Sequence, residues 1–200
     1  MVLCWQTTYP FLRICLNGKP IPVETSCRYL GHIITNNLSD NEDIKRQLRS
    51  FYGRSNMLLR TFGSCSYDVK QHLFMSYCGS LYTSSIWCKF TKKQMYQMEV
   101  AYNNVFRRFF HYEKFCSASE MFVVNRVENF DARMRKLTFG FRERLNTSEN
   151  TLVICLLNSI AWTSSQLCKM WENCLYVVSC INYFFATHVF SFRVLVIFCV

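Results

Sequence analysis

The chain lacks the groupings of side chains on which most site chemistry depends. Its 12 cysteines include no pair at the two-to-four-residue spacing of a zinc knuckle, and its four histidines, His32, His72, His111 and His188, are scattered. That excludes a compact structural zinc module. No basic segment followed by an apolar one opens the sequence, so reduced cysteines packed in an interior are expected rather than disulfides, together with an intracellular setting. Asn37-Leu38-Ser39 and Asn146-Thr147-Ser148 match glycosylation acceptors, and without a secretory signal they read as chance matches. Carboxylates are scarce, with 13 Asp+Glu against 23 Lys+Arg, and no two are adjacent before Glu42-Asp43. Asp40, Asp43, Asp68 and Asp131 are dispersed over three expected helices or their caps, whereas two-metal catalysis needs aspartates gathered at one point. His72 and His111 stand apart from any nucleophile or carboxylate motif and read as ordinary, partly buried histidines. The expectation is a chain with no catalytic residue, no metal site and no cofactor, and hence not an enzyme by itself.

Positive charge is what the chain has in excess, and its distribution is uneven. Residues 1 to 144 hold 21 Lys+Arg and 11 Asp+Glu, while residues 145 to 200 hold two of each. The whole net charge of +10 therefore lies in the first part. Confined to a helical segment, such an excess is the electrostatic footprint of a nucleic-acid partner. Half of the residues are hydrophobic, which is ample for the core of one or two domains.

Leu12 to Leu16 and Arg28 to Thr35 carry apolar, β-branched and aromatic positions and read as strands, with Asn17-Gly18, Pro20 and Pro22 as the turns between them. Ser39 precedes Glu42 by three residues, the spacing of a capping box, so a helix is expected from about Asp40. Its apolar stripe would be Ile44, Leu48, Phe51, Tyr52, Ser55, Leu59 and Phe62, with Lys45, Arg46, Arg49 and Arg60 on an adjoining flank. Gly63 stops it and Ser66 caps a second helix with the stripe Val69, Leu73, Tyr77 and Leu81. A third is expected from Thr91, lined by Met95, Met98, Tyr102, Val105, Phe106 and Phe109, and a fourth over Asp131 to Leu145, rich in Arg133, Arg135, Lys136, Arg142 and Arg144. Tyr102 falls within an apolar stripe and reads as core. The expected fold is mainly α: a short N-terminal β-hairpin or strand element, a helical thumb-like bundle and a hydrophobic C-terminal segment.

That last segment has no Lys, Arg, Asp or Glu from Cys174 to Phe192 and stays apolar to Val200, apart from Arg193 and polar interruptions such as Asn182 and His188. It is long enough to span a bilayer. Two readings stand, a membrane span and a buried or aberrant tail.

Several landmarks occur in one order: Leu16-Asn17-Gly18, Ile21-Pro22, Tyr29-Leu30-Gly31-His32-Ile33-Ile34, the helix start over Leu38 to Arg49, Leu73-Phe74-Met75-Ser76-Tyr77-Cys78, Trp87, Ala101-Tyr102-Asn103-Asn104, Arg107, Phe141-Arg142-Glu143-Arg144-Leu145, Ser148, Asn150, Ser165-Gln166-Leu167 and Trp171. In this order they resemble the end of the palm and the thumb of a non-LTR (LINE-type) retrotransposon reverse transcriptase, over about residues 11 to 176. The resemblance implies four parts: a palm-end, primer-grip β element over 1–36, a basic thumb-like helical region over 37–145, a helical continuation over 146–176, and an apolar tail over 177–200. It departs from the family in having no Tyr/Phe-Ala-Asp-Asp turn, so the implied activity is template–primer binding without polymerisation.

By that resemblance Tyr29, Leu30 and Gly31 position a primer terminus, although a strand glycine equally marks a bulge. Lys45, Arg46 and Arg49 are candidate contacts to the phosphates of an RNA or DNA template–primer, or else a solvated helix face. Arg107 and Arg108 can reach a phosphate or pair with Glu99 or Glu113. Beside the truncated polymerase stand two other readings, a small basic protein anchored in a membrane by its tail and a degenerate product without selected function.

Overall fold

A computed structural model describes residues 2–3, 15–20 and 23–172. The apolar segment from Cys174 to Val200, with its two readings of membrane span and buried or aberrant tail, lies outside the described residues. Among those residues no helix is long and apolar enough to cross a membrane. The described chain is mainly α, with short β elements first.

Strand β1 (Val2–Leu3) runs parallel to β4 (Val23–Glu24). Between them, β2 (Cys15–Leu16) and β3 (Lys19–Pro20) form a hairpin about Asn17 and Gly18, both at positive φ, as a tight two-residue turn requires. A second hairpin follows, β5 (Ser26–Tyr29) and β6 (His32–Thr35), in the register Ser26 to Thr35 and Tyr29 to His32. The single strand expected over Arg28 to Thr35 is thus two strands. Leu30 and Gly31, at φ +46° and +82°, are the turn between them, and an alternation of apolar side chains does not by itself reveal a reversal carried by two residues.

Helix α1 (Asn41–Phe62) begins where expected, with Asp40 at its N-cap, but without the capping box. Asp40 turns its carboxylate away from its own helix, and Ser39 Oγ accepts from the Asn41 N–H at 3.4 Å instead. Helix α2 (Tyr67–Leu73) runs into a π-helical turn, Phe74–Cys78. Its buried face is Lys70, Phe74 and Cys78, while Val69 and Tyr77 are exposed. Of the stripe expected at Val69, Leu73, Tyr77 and Leu81, Leu81 is buried and Leu73 packs against the core, whereas Val69 and Tyr77 face outward because the buried face is shifted by one residue. A lysine on the buried face disguises the true stripe.

Helix α3 (Lys92–Phe109) matches its expected span and face: Thr91 caps it by accepting from the Gln94 N–H, and Met98, Tyr102, Val105, Phe106 and Phe109 are buried with Ala101. It ends through His111 at φ +59°, with the Tyr112 N–H returning to the Arg107 carbonyl at 2.8 Å. Helix α4 (Ala118–Val124), unmarked in the periodicity, ends in the same manner through Arg126 at φ +52°, with Val127 N–H on the Phe122 carbonyl. Asn129 caps α5 (Phe130–Asn146) by accepting from the Ala132 N–H, and α6 (Thr151–Leu157), α7 (Ile160–Thr163) and a helical stretch over 166–172 complete the described chain.

The core is aromatic, and Tyr102 is at its centre. Its ring lies 6.2 Å from Phe51, 5.1 Å from Phe74, 5.7 Å from Phe122 and 5.8 Å from Phe130, joining α1, α2, α4 and α5 to α3. The hydroxyl donates to the Glu128 carbonyl at 3.2 Å, and burial pushes the phenol well above its ordinary pKa. Phe106 extends the cluster to Phe74, Phe110 and Phe122. A smaller aromatic group, Phe141, Trp162 and Trp171, joins α5 to the last helical stretches. The expected cysteine-lined interior is reduced to one residue: Cys78 alone among the described thiols is buried, its pKa pushed up to about 12 by burial, and the others are half-buried or exposed. Phenylalanine and tyrosine fill the volume instead.

Truncating Phe106 to alanine removes a ring with aromatic neighbours on three elements and should lower stability by about 3–5 kcal/mol. Val123→Ala, at an exposed site in α4, should change it by less than about 0.5 kcal/mol. Urea unfolding followed by circular dichroism measures both.

Candidate functional site

Asp43 lies in the first turn of α1, where the helix dipole favours a carboxylate. Its side chain is fully buried where α1, the β5–β6 hairpin and the connection from Leu81 to Thr91 meet. A carboxylate removed from water is tolerated when both oxygens are satisfied. Here Oδ1 accepts from the Ile33 N–H at 3.0 Å and from Arg46 Nε at 2.8 Å, while Oδ2 accepts from Thr83 Oγ1 at 2.6 Å and Trp87 Nε1 at 2.9 Å. His32 Nδ1 is 3.0 Å from Oδ2 as an ion-pair contact, without an aligned hydrogen bond. Burial acts to raise the carboxyl's pKa, and the contacts to His32, Arg46, Thr83 and Trp87 outweigh it, so the group is held well below the usual carboxylate range.

Asp40 repeats the arrangement at the N-cap. Its Oδ2 accepts from the Cys88 and Lys89 N–H groups at 2.8 and 2.7 Å, and its own N–H donates to the Lys89 carbonyl at 2.8 Å. Asn41 Oδ1 accepts from the Thr91 N–H at 2.9 Å, and Lys89 Nζ donates to the Asn37 carbonyl at 2.8 Å. Helix α1 thereby grips the segment leading into α3 on one side and the hairpin on the other. His32 stands between the two carboxylates, with Nε2 4.0 Å from Asp40 Oδ1. Both carboxylates are committed to protein donors, and among the described residues no group of three or more His, Cys, Asp or Glu side chains is placed to hold a metal.

The hairpin tip projects from this junction. Tyr82 Oη donates to the Leu30 carbonyl at 2.8 Å, and its ring lies over Gly31, where an added Cβ would come within 3.2 Å of Cε1. Glycine at position 31 is therefore required by φ and by the covering ring, and the bulge reading gives way to a tight turn. Tyr29, Leu30 and Tyr82 are 64, 74 and 58 % exposed, an apolar cap on an otherwise polar end of the molecule.

The cations expected on α1 divide. Lys45 is exposed and pairs with Glu42 at 2.7 Å, a contact of small energetic consequence. Arg49 is exposed and makes no hydrogen bond or ion pair among the described residues. Arg46 is turned inward: besides Asp43 it reaches Thr83 Oγ1 at 3.4 Å, so it belongs to the junction rather than the surface. Arg107 ties down the loop after α3, donating to the Cys116 carbonyl at 3.2 and 3.0 Å and to Asn104 Oδ1 at 3.0 Å. Arg108 is exposed, and neither arginine pairs with Glu99 or Glu113. Tyr29, Leu30 and Gly31 belong to the hairpin docked on the first turn of α1, the helix that carries Lys45, Arg46 and Arg49, whereas Arg107 and Arg108 lie about 24 Å along α3 from its cap at 1.5 Å per residue.

Periodicity missed the residues that build this site: His32, Asp40, Asp43, Tyr82, Thr83 and Trp87. The available signal was Glu42-Asp43, the one acidic pair, which invited a capping role and hid the long-range one. No protein-family model matches the chain, and no curated protein and no solved structure shows significant similarity to it.

A carboxyl whose folded pKa is depressed stabilises the fold fully above its unfolded value, ordinarily 3.8, and that contribution is lost as pH falls toward the folded value. Asp43→Asn should therefore cost about 3–5 kcal/mol near neutrality, since Arg46 and His32 lose their partner. It should also flatten the decline in stability below about pH 5. Urea midpoints of both proteins across the acid range measure this.

Proposed function

We propose that the chain is a non-catalytic piece of a retrotransposon-type reverse transcriptase, binding a template–primer duplex through the hairpin tip and the cationic side of α1. The observation that carries this reading is the docking of the β5–β6 hairpin on the first turn of α1, where Asp43 accepts from the Ile33 N–H, with the Tyr29-Leu30-Gly31 tip held by Tyr82. Asp43 thus joins the strand that follows an exposed apolar turn to the helix that carries the exposed side chains of Lys45 and Arg49. A duplex end offers matching chemistry: a terminal sugar and base for an apolar backbone turn, and regularly spaced phosphates for cations alongside. The net charge of +10 supplies long-range attraction for the same partner. Asp43 has both oxygens taken by protein donors, and the role proposed is binding.

Phosphate contacts release condensed counterions, so affinity for a short RNA–DNA hybrid should fall steeply with salt and vary little with sequence. Replacing Lys45 and Arg49 together by Gln should reduce the slope of log K against log salt by about two. Arg46 is left in place because its removal would unsettle Asp43. Fluorescence anisotropy over a salt series reads the slope, and a double variant with the parent slope would show that this side of α1 is merely solvated.

A further inference from the structure

Lys70 is on the buried face of α2 with 8 % of its surface exposed, yet no carboxylate lies within ion-pair distance of it among the described residues. Buried lysines are ordinarily paired. An ammonium has three donors and no acceptor. Here one polar partner is found, His111 Nε2 at 3.3 Å, with donor and acceptor set by the tautomer of the ring. The other contact is the Phe109 ring, 5.7 Å from Nζ. His111 itself is exposed at the turn that ends α3, so the pair opens to solvent on the histidine side.

We propose that Lys70 and His111 form an oxyanion site whose ligand is a phosphate group. A phosphate oxygen supplies a charged acceptor for Lys70, and His111 in its Nε2–H form donates to a second oxygen of the same group. One ligand thus turns a weak Lys–His contact into two charge-assisted hydrogen bonds. The phosphate belongs either to a nucleic-acid backbone or to a free phosphate ion. The first of these rests on the binding function proposed above, and the second does not.

The test separates the two. At constant ionic strength, replacing chloride by inorganic phosphate should raise the Tm of the full chain by about 2–4 °C. The rise should vanish in Lys70→Met, which keeps the aliphatic stem, and in His111→Asn, which tolerates the left-handed backbone at this position. If Lys70→Met does not fold, His111→Asn and the charge-preserving Lys70→Arg, which should retain at least half of the rise, carry the test. An equal phosphate effect in the parent and in His111→Asn, or none in the parent, overturns the site and leaves Lys70 as a cation serving the C-terminal dipole of α3. Where phosphate stabilises the parent, the salt slope for an RNA–DNA hybrid identifies the source. A slope reduced by about one in Lys70→Met assigns the backbone phosphate, and an unchanged slope assigns the free ion. Failure of hybrid binding altogether would defeat the proposed function while leaving the phosphate response as evidence for the site.

Discussion

The arrangement of this chain depends on one buried carboxylate. Asp43 ties together three segments that are distant in sequence: the β5–β6 hairpin through the Ile33 N–H, α1 through Arg46, and the connection to α3 through Thr83 and Trp87. No hydrophobic contact could do this as selectively, because each donor must sit about 3 Å from a given oxygen along its own direction. The desolvation cost of the charge is offset only when all the partners are present. The junction is therefore cooperative, with hairpin, helix and connection docking together or not at all. Asp40 and Asn41 extend the same grip to the start of α3.

Beyond the junction the molecule is held by different physics. Tyr102 and Phe106 collect rings from the helices before and after α3, and the large areas that such rings bury dominate the stability of a chain with few ion pairs. Charge serves mainly at the edges. Glu128 gathers Arg133 and Lys136, Arg133 also donates to the Gly79 carbonyl at 2.7 Å, and Arg107 closes the loop behind α3. Several cations that look available in the sequence are thus consumed by structure. Others, such as Arg49 and Arg108, remain exposed and uncommitted among the described residues.

Legibility from sequence followed the range of the interaction. Helix α3 was readable in span, cap and face, because Thr91 and a regular apolar stripe are local signals. The start of α1 was readable too, although its capping box was not what formed. The phase of α2 was not, since a buried lysine and a π-helical turn break the rule that apolar residues mark the interior. The hairpin turn at Leu30-Gly31 hid within an apolar run that reads as one strand. Of the site, Tyr29, Leu30, Gly31, Lys45 and Arg49 were marked by landmark or charge, and they lie on the hairpin and on the helix to which it docks. Arg46 was marked for a surface role and is turned inward. The polar junction left no periodic trace, because its members are brought together from residues 32 to 87 by the tertiary fold alone.

The central claim is that the hairpin is fixed to α1 through Asp43 and is not a loosely hinged arm. Native-state hydrogen exchange at the Ile33 amide tests this most directly. That N–H is bonded to Asp43 rather than to the opposing strand, so its protection reports the junction alone. The account predicts that Ile33 exchanges as slowly as the buried amides of α3 around Tyr102. Rapid exchange at Ile33 while the α3 amides stay protected would show a hairpin that opens independently, and would contradict it.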